Sequence, residues 1–114
     1  MNISFAWTVP SILDHSKTVT RRFWNDDYAR KFHAGDIVDA YDQCTRAGGK
    51  KIDTIRLTSD PYKQRLSDMP DPHFEREGGT RYWRDKAEFI EVMGGPDAVP
   101  WVIEFDYDTM EVKR

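Results

Sequence analysis

The stretch SKTVTRR, residues 16–22, packs three cations and three hydroxyl groups into seven residues. In an extended strand, side chains alternate between two faces, so residues 17, 19 and 21 share one face and residues 18, 20 and 22 the other. A turn at the start of the stretch releases Lys17 from that alternation and lets it approach Thr20. A lysine beside a threonine hydroxyl, with arginines alongside, can bind an anion or activate a nucleophile. The alternative is an exposed basic strand.

The composition is typical of one globular domain spanning residues 1–114, since 39% of the residues are hydrophobic and 32% are charged. The net charge of −3 excludes attraction of nucleic acid through overall charge, so RNA contact would need a local basic patch. The single cysteine, Cys44, excludes an internal disulfide. No apolar run is long enough for a membrane span, and the first residues do not resemble a secretory signal. We therefore expect a cytoplasmic protein with no membrane partner. The residues leave the oligomeric state open, and a monomer is the default expectation.

The sequence pattern in the first half of the chain predicts short strands and helices. Alternation over residues 2–8 predicts a strand with Ile3, Phe5 and Trp7 on one face. Pro10 suits the first turn of a short helix over residues 10–16, with residues 12 and 13 facing inward. The basic strand runs to residue 24, and a single helical turn at residues 28–32 follows it. Strands at 37–41 and 51–58 form a hairpin across a glycine-containing connection.

The second half predicts a long loop, the main helix and a closing strand. Residues 59–71 are polar and contain prolines, which indicates a loop with room for a short helix at 62–66. Thr80 is a natural N-cap for a helix whose apolar stripe includes Trp83 and Ile90. From Pro100 onward, residues 101, 103, 105 and 107 share the apolar face of a strand, and residues 111–113 form a last strand. These elements predict an α+β fold: a small, mostly antiparallel β-barrel with one main helix and short N-terminal helices packed on it.

Three residues form the sharpest catalytic hypothesis: Lys17, Thr20 and Glu77. A threonine hydroxyl attacks well only when a base takes its proton, and a lysine serves as that base when burial or nearby positive charge lowers its pKa. Glu77 precedes Gly78 and Gly79, where the backbone can approach a ligand closely, and a carboxylic acid there can protonate a leaving group. The alternative is an ordinary surface lysine and an ordinary loop carboxylate.

Other residue patterns carry weaker signals. The three histidines are scattered singly, so we expect no metal site and no cofactor. The glycine pair at 78–79 could bind a phosphate before a helix, but it lacks a P-loop lysine. A turn that needs positive φ is therefore the better interpretation. Trp83 and Trp101 lie on inward stripes and are expected in the core. Trp24, which follows the arginine pair, is the best candidate for stacking on a base.

Four segments together resemble the ASCH domain family of the PUA-like superfamily. The stretch KTVTRR at 17–22 resembles the K-T-x-T-R signature of that family. The segment FHAGDIV at 32–38 is similar to its G-D turn, EGG at 77–79 to its E-G segment, and WVIEF at 101–105 to its closing strand. The segments fall in family order and extend over most of the chain.

The resemblance implies a β-barrel with a cleft beside its helices and a ligand related to RNA or its nucleosides. Some small members of the family are amidohydrolases that remove the acyl group from N4-acetylcytidine. By matching motif positions, Lys17 would be the base, Thr20 the nucleophile and Glu77 the acid. The chain departs from those members in its arginine pair, its loop at 59–71 and its glycine insertion at 78–79.

The resulting prediction is a hydrolase that removes an acyl group from an N4-acylated cytidine or a related nucleoside, with Arg21 or Arg22 stabilising the oxyanion. The alternative is a non-catalytic RNA- or nucleotide-binding module in which Arg21 and Arg22 hold phosphate and Trp24 stacks on a base. A ribonuclease that uses the same basic groups is a third reading. In each case the predicted partner is a nucleoside or RNA.

Overall fold

The structure is a computed structural model, and it describes residues 1–107 of the chain. The strands are short, and we number them in chain order: β1 Asn2–Ser4, β2 Val19–Arg22, β3 Ile37–Tyr41, β4 Lys51–Leu57, β5 Tyr62–Lys63 and β6 Trp101–Tyr107. Four α-helices lie between them: α1 Val9–Leu13, α2 Asp26–Ala29, α3 Asp71–Glu77 and α4 Lys86–Val92. Single 3₁₀ turns occupy Ala6–Thr8, Thr45–Ala47, Leu66–Asp68 and Gly79–Arg81.

The six strands form one mixed sheet in the order β1-β3-β4-β6-β2, with β5 also paired to β6. β1 runs parallel to β3, and the other pairs are antiparallel. Within residues 1–107 the two edge strands, β1 and β2, do not pair with each other, so the sheet stays open. The α+β class therefore holds, but the predicted β-barrel is wrong.

A side chain joins the two edges where a barrel would have a ladder of backbone hydrogen bonds. Arg22 of β2 donates a hydrogen bond from Nη2 to the backbone carbonyl of Ser4 on β1, over 2.7 Å. β1 has only three residues, and the chain leaves the strand direction at Ala6, where φ is +48°. The gap between the edges is thus bridged by a guanidinium, and the sheet curls without closing.

The main core lies on one face of this curled sheet. On β6, the residues at 101, 103, 105 and 107 all pack into or against the main cluster, as the alternation predicts. Ile3, Phe5 and Ile12 join them from the N-terminal elements. A second cluster, which includes Phe74, Trp83 and Phe89, lies under α3 and α4. The helices therefore build a small core of their own beside the sheet.

Two N-terminal predictions are wrong. Trp7 belongs to a 3₁₀ turn and is 60% exposed, whereas the alternation placed it on the buried face of a strand. Leu13 was expected to face inward but is 59% exposed. The reason for Trp7 is the backbone of Ala6, since its positive φ ends the extended conformation that the alternation requires.

The helices of the second half also differ from expectation. α3 occupies residues that the sequence analysis left outside any helix, and α4 begins after Asp85 rather than Thr80. The Asp85 carboxylate accepts the backbone N–H of Glu88 over 2.9 Å, which caps the helix. α3 and α4 each have seven residues, so the chain has no single main helix within the described residues. The glycine pair does form a turn with positive φ, +133° at Gly78 and +59° at Gly79.

The remaining predictions concern the chain ends and the membrane. The predicted strand at 111–113 lies outside the described residues. Among the helices of residues 1–107, none has the length and apolar character needed to cross a membrane.

Candidate active site

A cavity of about 270 Å³ opens in the gap between the two edge strands. One part of its wall is polar and contains five of the six side chains singled out from the sequence as catalytic or ligand-binding: Lys17, Thr20, Arg21, Arg22 and Glu77. The rest of the wall is mostly apolar and includes Phe5, Trp7, Trp83, Phe89 and Met93. The cavity therefore combines a cluster of reactive groups with a surface suited to a flat organic ring.

Lys17 and Glu77 form a buried ion pair in the floor of this cavity. The Lys17 ammonium donates to Glu77 Oε1 over 3.1 Å and to the Glu77 backbone carbonyl over 2.7 Å. Each residue is only 2% exposed. The two residues are 60 positions apart in the sequence, so only the tertiary fold brings them together.

Arg21 holds the other oxygen of the same carboxylate. Its Nη1 donates to Glu77 Oε2 over 2.8 Å, and the Arg21 side chain is fully buried. Its Nη2 is shared between Gln64 Oε1 and His73 Nδ1, each at 2.8 Å. Because an arginine can only donate, Nδ1 of His73 must be the acceptor, and the proton of the neutral ring is on Nε2. Glu77 is thus clamped as an acceptor between two cations.

Thr20 also accepts a hydrogen bond from a cationic side chain. Arg22 Nε donates to Thr20 Oγ1 over 3.1 Å, which leaves the hydroxyl proton free to point elsewhere. The Arg22 guanidinium also lies 5.2 Å from the ring centroid of Phe5. A guanidinium N–H at this oxygen makes loss of the hydroxyl proton to a base less costly, because it stabilises the negative charge that deprotonation creates.

The electrostatic environment favours a lysine that can lose its proton. Burial lowers the pKa of Lys17 below its ordinary value of 10.5; the negative charge of Glu77 opposes this effect, and the charges of Arg22 and Arg21 add to it. Burial likewise lowers the pKa of His73, together with the nearby charge of Arg21. His73 is therefore expected to remain neutral at pH 7, as its acceptor role toward Arg21 requires.

Local structure explains how Glu77 reaches the cavity. It is the last residue of α3, and the turn at Gly78 sends the chain away immediately afterwards. The helix is fastened to the residue that precedes β2, because Thr18 N donates to the carbonyl of Arg76 over 2.9 Å. Arg76 Nε returns a hydrogen bond to Thr18 Oγ1 over 2.8 Å. These bonds hold the end of α3 against the basic stretch.

Trp24 lies elsewhere. It lines a second cavity of about 220 Å³, which shares Ser4 and Arg22 with the first. One of its ring contacts is a stacked one with Phe32, with centroids 4.8 Å apart. Trp24 is therefore not part of the wall that carries Thr20, and its role in stacking on a base remains a prediction for the neighbouring cavity.

Sequence reasoning missed three residues that shape the site. His73 and Gln64 position Arg21, and Trp83 lines the cavity instead of being only a core residue. One signal was available for His73, since a residue four positions before Glu77 lies on the same face of a helix. That signal is useful only if residues 71–77 are recognised as a helix, and the local pattern, with prolines at 70 and 72, does not by itself indicate one. Among the described residues, no group of three or more histidine, cysteine or acidic side chains could hold a metal ion.

Comparisons with known proteins extend the description of the fold. No family model matches the chain, and no curated protein matches it. Among solved structures, the chain is similar to the crystal structure of protein EF3133 from Enterococcus faecalis V583, of the family DUF984. The TM-score is 0.62 at 14% identity, and the match covers 90% of this chain and 70% of that one. The likeness concerns the fold alone.

Proposed function

We propose that this chain is a small ASCH-type hydrolase that removes an acyl group from an N4-acylated cytidine or a related nucleoside. The observation that carries the proposal is the meeting of Lys17, Thr20 and Glu77 in the wall of one cavity, with an arginine donating to the threonine oxygen. Motif positions alone assign these three residues a base, a nucleophile and an acid. The apolar part of the cavity wall offers a surface against which the ring of the substrate can pack.

The reaction begins with a proton shift inside the ion pair. The proton of the Lys17 ammonium moves along the 3.1 Å hydrogen bond to Glu77, which gives a neutral amine and a carboxylic acid. Burial of Lys17 favours its neutral amine. The Arg21 guanidinium, 2.8 Å from Glu77 Oε2, opposes protonation of the carboxylate, so the neutral pair is the less populated form from which the reaction starts. Lys17 then has a lone pair for a proton, and Glu77 has a proton to give. This step explains how a carboxylate clamped as an acceptor becomes an acid.

Acyl transfer follows in the same cavity. Thr20 Oγ1 attacks the amide carbonyl carbon and gives its proton to Lys17, and Arg22 stabilises the oxyanion that forms. Collapse breaks the bond between that carbon and N4 of the cytosine, and Glu77 protonates the departing nitrogen. The products of this half-reaction are cytidine and an acyl ester on Thr20, with Lys17 charged and Glu77 ionised as at the start.

Hydrolysis of the ester completes the cycle. The same proton shift again makes Lys17 neutral, and Lys17 accepts a proton from a water molecule as it attacks the ester carbonyl. The bond between that carbon and Thr20 Oγ1 breaks, and Glu77 returns a proton to the threonine oxygen. The acyl group leaves as a carboxylic acid, which loses its proton to solvent, and the original pair is restored.

The decisive assay is hydrolysis of N4-acetylcytidine, followed by the loss of its ultraviolet band. Lys17→Met, Thr20→Val and Glu77→Gln should each lower kcat/KM by about a hundredfold or more. Matched controls in exposed positions are Lys50→Met, Thr58→Val and Glu91→Gln, which should retain wild-type activity. Full activity of the Thr20→Val enzyme would refute the covalent mechanism.

An RNA-binding assay with an Arg22→Ala variant tests the non-catalytic alternative. Both Nη atoms of Arg21 already donate to side chains of this chain, which makes Arg21 less available to a phosphate. If the wild-type protein hydrolyses nothing but binds RNA with a steep salt dependence, and Arg22→Ala abolishes that binding, the RNA-binding module replaces the hydrolase.

A further inference from the structure

Trp83 carries a buried hydrogen-bond donor that has no partner among the described residues. Its side chain is almost completely enclosed, at 6% exposure, and Nε1 has neither a protein acceptor nor contact with solvent. Buried indole N–H groups in proteins are normally paired, because an unmade bond costs stability. An unpaired donor retained in the wall of a cavity is a group that a ligand can satisfy.

The position of Trp83 is consistent with a role in ligand binding. It lines the same cavity as Thr20 but comes from the apolar wall, where it packs against Phe89 with ring centroids 4.6 Å apart. The polar wall supplies the groups that act on the amide. The apolar wall is therefore the surface that the ring of the substrate contacts, and the indole N–H, closed to solvent in this structure, is a polar group of this wall that can recognise the ring edge once it is uncovered.

We propose that the indole N–H of Trp83 donates a hydrogen bond to the ring carbonyl oxygen, O2, of the bound pyrimidine, and so selects acylated cytosine over acylated adenine. This inference rests on the proposed function. Cytosine projects a carbonyl oxygen beyond its ring, whereas the acceptors of adenine are nitrogen atoms within its rings. A buried donor that is placed to meet a projecting oxygen discriminates against a base whose acceptors do not reach it, since the donor is then left unpaired.

Ligand access to this N–H requires a neighbouring side chain to move, and Trp7 is suited to that movement. Its ring contacts Trp83 edge-on, with centroids 5.4 Å apart, and it is 60% exposed. It follows Ala6, whose left-handed backbone is uncommon for a residue with a side chain. Trp7 is not part of the main core cluster, so we expect that its rotation uncovers the edge of Trp83 without disturbing the core of the sheet.

The test is the indole ¹H–¹⁵N spectrum of the full chain, titrated with cytidine and, separately, with adenosine. The Trp83 signal is identified by its loss in Trp83→Phe. It should move downfield with cytidine and stay in place with adenosine. In parallel, replacement of Trp83 by benzothienylalanine, which keeps the shape and removes the N–H, should raise the KM for N4-acetylcytidine about tenfold and reduce the preference over N6-acetyladenosine.

Trp101→Phe serves as the matched control, because its Nε1 already donates to Asp26 over 3.2 Å. If N4-acetylcytidine is hydrolysed but the Trp83 signal does not move and the benzothienyl enzyme keeps its selectivity, this inference is overturned and the proposed function stands. If there is neither turnover nor a cytidine-induced shift, both are overturned.

Discussion

Arg22 links the two open edges of the sheet, since its Nη2 donates to the Ser4 carbonyl over 2.7 Å while its Nε donates to Thr20 over 3.1 Å. One guanidinium thus supports the cavity wall and touches the candidate nucleophile. The fork geometry of arginine makes both bonds possible at once, whereas a lysine is a single charged point. The same side chain therefore takes part in the site and in the link across the open edges of the sheet.

Arg22→Lys should therefore lower kcat for N4-acetylcytidine by about a hundredfold, because an ammonium lacks the fixed fork that aims one N–H at Thr20 and another at Ser4. Steady-state kinetics measure the change. Arg46→Lys, at an exposed position on the 3₁₀ turn before Gly48, is the matched control and should leave kcat unchanged. A wild-type kcat in Arg22→Lys would argue that charge alone, not geometry, matters at this position.

Removal of Glu77 should cost more stability than removal of Lys17. In Glu77→Gln, the Lys17 ammonium and the Arg21 guanidinium both remain buried without a counter-charge, and such a loss typically costs about 3–5 kcal/mol. In Lys17→Met, Arg21 still neutralises Glu77, so the loss should be smaller. Urea unfolding gives both free energies, with Glu91→Gln expected within about 0.5 kcal/mol of wild type. Equal losses in the two variants would contradict the shared role of the carboxylate.

His73 should make the free energy of unfolding depend on pH just below 6.5. Burial and the charge of Arg21 lower its pKa from 6.5 in the folded state. Between the folded pKa and 6.5, the unfolded chain binds more protons than the folded one, so stability falls as the pH drops through that window. Glu104 and Arg76 also face the ring, and the lowered pKa of Glu104, from 4.5, affects stability only at more acidic pH.

The matched variant for that pH effect is His73→Asn, whose amide oxygen can accept from Arg21 without titrating. Its unfolding free energy should be flat over the window where the wild-type value falls. Long-range ¹H–¹⁵N spectra should show the His73 proton on Nε2, as the 2.8 Å bond from Arg21 to Nδ1 requires. A proton on Nδ1 at neutral pH would be incompatible with that bond.

Gly78→Ala should disturb the site more than Gly48→Ala does. Both glycines have positive φ, +133° and +82°, so both substitutions carry backbone strain of about 1–3 kcal/mol. At Gly78 the added carbon would also lie 2.5 Å from the Tyr82 ring, whereas at Gly48 it meets nothing within 4 Å. Because Gly78 follows Glu77, the first variant should lose activity as well as stability, as thermal unfolding and the hydrolysis assay can show.

Local patterns in the sequence predicted much of the sheet. The strand at 37–41 has the predicted bounds, the hairpin with β4 forms, and the apolar face of β6 lies in or against the core. The glycine pair at 78–79 adopts the positive φ expected of a turn. These features depend on a few neighbouring residues, so the alternation of side chains and the freedom of glycine are sufficient to predict them.

The sequence by itself therefore determined the α+β class, most strand positions and the residues worth testing, Lys17, Thr20 and Glu77. Only the tertiary structure decided that the sheet stays open, that Trp7 is exposed, and that Glu77 lies between Lys17 and Arg21. Edge pairing and burial depend on contacts between residues far apart in the chain. The local alternation of apolar and polar residues does not predict which distant residues will be in contact. The cavity lies where a side chain, Arg22, bridges two strands that backbone hydrogen bonds do not join.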